Sequence, residues 1–199
     1  MDTELEYDYT IKLLIVGDSS VGKTNFISMF IENKYVPQYM TTSGIDLKTS
    51  SIEIKNKKLK VQLWDTAGQE KYRAITKNLF LKVQGVLILY DITNEKSFTN
   101  LKSWVKTIKE ECGKQMQIII VGNKNDLEKN RVVDKNIAIE YAKEEKIEYI
   151  ETSCKTGDNI QKSIALICEK VLDNTEFTND FSFTLDASSS TKKNRHKCC

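Results

Sequence analysis

Lys23 and Thr24 close the run Gly17-Asp18-Ser19-Ser20-Val21-Gly22-Lys23-Thr24, which has the spacing G-x-x-x-x-G-K-T. An apolar stretch, Ile11 to Val16 broken by Lys12, precedes it, and the helical pattern Lys23 to Glu32 follows. Strand, glycine-framed loop and helix in that order make a phosphate cradle. Gly17 and Gly22 carry no Cβ, so the backbone can take positive φ and approach a phosphate. The N–H groups of Asp18, Ser19, Ser20, Val21 and Gly22 can then line an anion nest at the positive end of the helix. Lys23 supplies a point charge for β- and γ-phosphates, and the Thr24 hydroxyl can ligate Mg²⁺.

Three further stretches carry chemistry that such a cradle needs. Asp65 leaves a strand into Thr66-Ala67-Gly68-Gln69-Glu70, where a carboxylate can hold Mg²⁺ opposite Thr24. Gly68 lets the backbone reach a γ-phosphate, and the Gln69 amide can both accept from and donate to an attacking water. Asn123-Lys124-Asn125-Asp126 follows a buried strand. The Asp126 carboxylate can accept from guanine N1–H and the exocyclic amine, a donor pair adenine lacks. The Lys124 stem can cover the base, and Asn123 can tie this loop back to the phosphate loop. Glu151-Thr152-Ser153-Cys154-Lys155 offers backbone N–H groups of Ser153, Cys154 and Lys155 to guanine O6. Alone, Asp65 to Glu70 reads better as a polar turn and Asn123 to Asp126 is a weak match, but their order along one chain points to a guanine nucleoside triphosphate.

The elements that position these residues follow from periodicity. Ile45-Asp46-Leu47, Ser51 to Ile54 and Leu59 to Trp64 alternate around Lys55-Asn56-Lys57-Lys58 and read as an antiparallel hairpin. Gly85 to Asp91 and Gln117 to Gly122 are near-continuous apolar runs, expected of strands buried on both faces. Ser97 to Cys112, Ile137 to Lys146 and Asp158 to Leu172 are predicted helices, Ile147 to Ile150 a short strand, and Asn33 to Ser43 a surface loop. Alternating strands and helices predict a three-layer α/β fold, with a mostly parallel six-stranded sheet and one antiparallel edge strand. Every motif then falls at the carboxyl ends of the strands. We divide the chain into an N-terminal extension over 1–8, one domain over 9–173 and a polar, disordered tail over 174–199.

Composition excludes several classes. A net charge of +2 over 199 residues gives no electrostatic case for nucleic acid. No apolar run reaches membrane-spanning length. The acidic stretch Met1 to Asp8 has no signal-peptide pattern, and five cysteines without that pattern fit a reducing cytosol rather than a disulfide framework. His196 is the sole histidine and no C-x-x-C pair occurs, so the chain offers no structural zinc set.

Taken together, Tyr9 to about Leu172 resembles the small GTPases of the Ras superfamily, and the Rab family most closely. Trp64 before Asp65-Thr66-Ala67-Gly68-Gln69-Glu70, Gly44-Ile45-Asp46, Tyr90-Asp91-Ile92-Thr93 and Cys198-Cys199 carry the likeness. The resemblance implies a P-loop G domain that binds GTP and GDP with Mg²⁺ and hydrolyses GTP slowly. It places Tyr35 against the guanine face, Thr42 as second hydroxyl ligand of Mg²⁺, Gly68 at the γ-phosphate and Gln69 on the catalytic water. Loops near Tyr35–Gly44 and Gly68–Ile75 would change with nucleotide state. No arginine occurs between Asn33 and Gly44, so an arginine finger must come in trans.

The implied partners are an exchange factor, a GTPase-activating protein, prenylation escort and dissociation-inhibitor proteins, and effectors acting on a monomer in vesicle-mediated transport. Lys192-Lys193-Asn194-Arg195-His196-Lys197-Cys198-Cys199 resembles a double-geranylgeranylation signal, two chains anchoring stably where one is marginal. That implies the cytosolic face of an endomembrane or the plasma membrane, with cycling through the cytosol. The chain departs from the family at Ser43, Leu47, Cys154 and Leu79-Phe80-Leu81-Lys82-Val83, so the triad an effector would read becomes Leu47, Trp64 and Leu79. Cys154 reads as a small buried filler. A GTP-holding adaptor without turnover is the competing reading, which Gln69 disfavours. A P-loop kinase or ATPase is separated from both by nucleotide preference.

Overall fold

The computed structural model describes residues 6–37, 45–66, 79–112 and 116–176. Six strands form one sheet in the order β2-β3-β1-β4-β5-β6. They are β1 (Tyr9–Gly17), β2 (Ile45–Ile54), β3 (Lys57–Thr66), β4 (Gly85–Asp91), β5 (Gln117–Asn123) and β6 (Glu148–Thr152). β2 is antiparallel to β3, and every other pairing is parallel, as the periodicity predicts.

Alternation along the central strands divides the core in two. Ile11, Leu13 and Ile15 of β1, with Leu87 and Leu89 of β4, pack against α1 (Lys23–Glu32) and α4 (Ile160–Glu176). Leu14 and Val16, with Val86, Ile88 and Tyr90, pack on the other face against α2 (Glu95–Cys112) and α3 (Lys135–Glu145). All seven residues of β4 are buried, which is why the run is apolar rather than alternating. No helix among the described residues is long and apolar enough to cross a membrane.

Element ends differ from the sequence reading where single residues set the backbone. The hairpin turn is only Lys55-Asn56, with φ of 52° and 59°, so Lys57 and Lys58 belong to β3. Positive φ at both positions gives the tight turn whose twist matches the strands. α3 starts at Lys135 because the Asp134 carboxylate accepts the N–H groups of Asn136 and Ile137 at 2.7 and 3.3 Å. It stops before Lys146, whose φ is 58°. α4 begins at Ile160, after Gly157 and Asn159 at φ 80° and 54°, not at Asp158. It then continues through Glu176, three residues past the expected end of the domain. The loop expected over Asn33 to Ser43 is described only as far as 37, and the tail only through that helix end.

Candidate functional site

β1 ends in Gly17 beside β4, where a Cβ would collide with Leu89 O. The chain then turns through Ser20 and Gly22, at φ 65° and 101°, and α1 starts at Lys23 with Gly22 as its cap. Lys23 is buried, 6% exposed, and folds its ammonium back across the loop. Its Nζ donates to Gly17 O at 3.0 Å and Asp18 O at 2.7 Å. Burial pushes its pKa down to about 8, while Asp65 and Asp18 pull the other way. An anion against this ammonium would offset the cost of burying it.

β3 delivers Asp65 to the same place. Thr24 Oγ1 donates to Asp65 Oδ2 at 2.7 Å. Asp65 is 3% exposed, and its Oδ1 is buried with no hydrogen-bond partner among the described residues. Burial is the largest effect on its carboxyl and raises its pKa, although the Thr24 bond and Lys23 lower it. A buried carboxylate oxygen in search of a partner, with a hydroxyl bonded to its twin oxygen, is a hard oxygen donor set of the kind that Mg²⁺ takes.

The base end is assembled by Asn123 at the tip of β5. Asn123 Nδ2 donates to Val21 O at 2.7 Å, and its Oδ1 accepts from Thr152 Oγ1 at 3.2 Å and Cys154 Sγ at 3.4 Å. One buried amide therefore joins the phosphate loop, β5 and the loop after β6. Lys124 takes φ 69° and its Nζ pairs with Asp91 Oδ2 at 2.6 Å. The Asp126 carboxylate accepts from Ser153 Oγ at 2.6 Å. That hydroxyl also accepts the N–H groups of Lys155 and Thr156, each at 3.1 Å. Cys154 is buried, 4% exposed, and its thiol pKa is pushed up to about 11, chiefly by burial.

Asp18 to Thr24, Asp65, Asn123, Lys124, Asp126 and Ser153 to Lys155 thus gather at the carboxyl ends of β1, β3, β5 and β6. Tyr35 follows α1 and is 38% exposed. Thr42, Ser43, Gly68, Gln69, Cys198 and Cys199 lie outside the described residues. Of the triad expected at the surface, Leu47 is 43% exposed, Trp64 is partly buried, and Leu79 is core at 7%. Leu79 belongs to the buried cluster that includes Leu14, Val16 and Phe80, which withdraws it from the surface.

Sequence reasoning passed over several residues that hold the site. Asn100 of α2 donates to Asp18 Oδ2 at 2.7 Å, and Asn25 bonds the backbone of Val36. Asp91 holds Lys124, and it could have been found as the one acid ending a buried strand. Behind the loop that follows β6, Glu151 accepts from Arg131 Nη1 and Nη2 at 2.9 and 3.0 Å and from Tyr149 Oη at 2.6 Å. Nothing local in the sequence marks Asn25, Asn100 or Tyr149.

The sequence matches the Ras family over residues 12–173. It is 44% identical over 156 residues to the Ras-related protein SEC4 of Saccharomyces cerevisiae, covering 78% of this chain and 72% of that one. The GTP-binding protein YPTM1 of Zea mays is 43% identical over 158 residues, covering 79% and 76%. The Ras-related protein Rab-13 of Rattus norvegicus is 38% identical over 196 residues, covering 96% and 97%.

Proposed function

We propose, for a chain that belongs to the Rab family of Ras-like small GTPases and so binds and hydrolyses GTP, how its own residues divide that work. The observation that carries the reading is the Asn123 amide, which fixes the phosphate loop to the end of β6 and the loop after it, where Ser153 bonds Asp126. A triphosphate and a base are thereby addressed at one fixed spacing.

At the phosphate end, Lys23 and the N–H groups of residues 18–24 hold the β- and γ-phosphates. Thr24 and Asp65, with Thr42, would hold Mg²⁺, whose chemistry is to neutralise charge developing on the phosphates. Gly68 donates its N–H to the γ-phosphate, and Gln69 orients the water for in-line attack. At the base end, Asp126 accepts from guanine and is itself aligned by Ser153. Lys124, held by Asp91, covers one face and Tyr35 the other, while the N–H groups of Ser153, Cys154 and Lys155 meet O6. Adenine offers this carboxylate no matching donor pair.

Hydrolysis then acts as a timer. The γ-phosphate stabilises the effector-binding arrangement of the loops at Tyr35–Gly44 and Gly68–Ile75, and its loss releases them. An activating protein supplies the arginine, an exchange factor speeds GDP release, and effectors in vesicle-mediated transport read the GTP form. Escort and dissociation-inhibitor proteins carry the lipidated chain. Geranylgeranyl groups on Cys198 and Cys199 hold it at the cytosolic face of a membrane, and Cys198→Ser with Cys199→Ser should shift it to the cytosol. Retention of that variant on membranes would refute the anchor.

Single-turnover assays of the full chain with GTP and ATP, with and without Mg²⁺, test the site. Slow, Mg²⁺-dependent loss of GTP alone is expected, and Gln69→Leu should stop it. Turnover of ATP would overturn the guanine assignment, and full GTP turnover in chelator would overturn the metal assignment.

A further inference from the structure

Asn25 lies on the first turn of α1, next to Thr24, and its carboxamide closes on the chain eleven residues further on. Its Nδ2 donates to Val36 O at 3.0 Å, and its Oδ1 accepts the N–H of Val36 at 3.2 Å. One planar amide satisfies both backbone groups of a single residue, as a neighbouring strand would. It does so in a segment, 33–37, that has no regular secondary structure. The chain leaves α1 with Asn33 N–H on Met29 O and Lys34 N–H on Ser28 O, at 3.1 and 3.4 Å. Among the described residues, Val36 carries the next backbone tie after these.

The first turn of α1 is itself fixed to the phosphate loop. Phe26 N–H donates to Gly22 O at 2.8 Å and Thr24 Oγ1 to Asp65. The Asn25 bonds therefore set Val36, and Tyr35 beside it, at a defined distance from the phosphate loop. Tyr35 is 38% exposed, so it is not locked in a core and its place depends also on the backbone next to it. A phosphate cradle does not need an amide at position 25, since the cradle's chemistry ends at Thr24.

We propose that Asn25 is a positioning residue for nucleotide retention. By clamping Val36 to the first turn of α1 it keeps Tyr35 as one wall of the cleft and slows release of bound nucleotide. The proposal rests on the reading that this cleft takes a guanine nucleotide.

The test is release of mant-GDP from the full chain, chased with excess GDP, for wild type, Asn25→Ala and Asn25→Leu. Leucine matches asparagine in size and favours a helix more strongly, so a role confined to α1 predicts unchanged or slower release from Asn25→Leu. Loss of the clamp predicts release about tenfold faster in both variants, from two neutral hydrogen bonds broken. Amide exchange at Val36 should quicken in both. Release within twofold of wild type in both variants, acceleration in Asn25→Ala alone, or unchanged exchange at Val36 would each overturn the clamp. Failure of wild type to take up mant-GDP would overturn the guanine reading along with it.

Discussion

Gly22→Ala probes the joint between the phosphate and base ends. Gly22 sits at φ 101°, and a Cβ there would collide with Asn123 Nδ2. The first cost is backbone strain, about 1–3 kcal/mol for a residue with a side chain at such a φ. The second depends on whether Asn123 can yield. Its amide is 1% exposed and committed to Val21 O on one side and to Thr152 and Cys154 on the other. Moving Nδ2 aside leaves Val21 O buried without its donor, a loss of about 1–3 kcal/mol. Together the change should cost about 2–6 kcal/mol, which in a chain of this size lowers Tm by roughly 4–24 °C.

A double-mutant cycle separates the two parts. In an Asn123→Ala background the collision is gone, so Gly22→Ala should cost only the strain, leaving a coupling of about 1–3 kcal/mol. The assay is thermal unfolding in excess GDP of wild type, the two single variants and the double variant. Additive costs, or a Tm within 2 °C of wild type for Gly22→Ala, would refute the reasoning that one buried amide joins both ends.

Three further outcomes follow from the same structure. Arg131→Ala leaves Glu151, its side chain 8% exposed, with Tyr149 and the more distant Lys135, at 3.6 Å. Unfolding should become easier by about 2–4 kcal/mol, and Arg131→Lys should not restore it, because a single ammonium cannot match the two-oxygen fork. Burial raises the Cys154 and Cys168 thiols to about 11 and about 12. In a Cys198→Ser, Cys199→Ser background, iodoacetamide at pH 7.5 should therefore label Cys112 first, as read by peptide mass spectrometry. Burial also raises Tyr90 to about 12 from 10.0, and raises Tyr149. Groups held protonated in the fold stabilise it fully below their unfolded pKa and lose that contribution as pH rises through the folded value. Tm should thus fall between pH 10 and 12, and less steeply for Tyr90→Phe with Tyr149→Phe.

The parts of this molecule that were legible are those in which a residue and its reason lie close in sequence. β4 and β5 are apolar throughout because both faces are covered, and the phosphate loop carries its glycines, lysine and threonine within eight consecutive residues. Element ends were less legible because they turn on one residue's φ, as at Asn159, or on one carboxylate, as at Asp134. Leu79 was misplaced because an apolar residue after a polar stretch reads the same whether it faces a partner or the core. Asn100 and Asp18 are 82 positions apart, and Lys124 and Asp91 are 33 apart. Polar pairs of that separation have no periodic signature, so even where one member is marked, as Asp91 is by its place at the end of β4, only the fold shows that the two meet.

The site's electrostatics set Lys23 and Asp65 apart from the residues that support them. Lys23 and Asp65 are both buried, and burial is the leading effect on each, lowering the ammonium's pKa and raising the carboxyl's. Neither would be retained for stability alone, because a desolvated charge costs several kcal/mol that one ion pair seldom recovers. On the proposed function, a phosphate against Lys23 and a divalent cation against Asp65 would offset both costs at once, which would couple ligand binding and fold stability through the same two residues. Asn100 and Asn25 are uncharged, and the buried Asp91 is paired with Lys124. Each makes an ordinary hydrogen bond or ion pair, and what it contributes is the placement of Asp18, Val36 and Lys124 respectively.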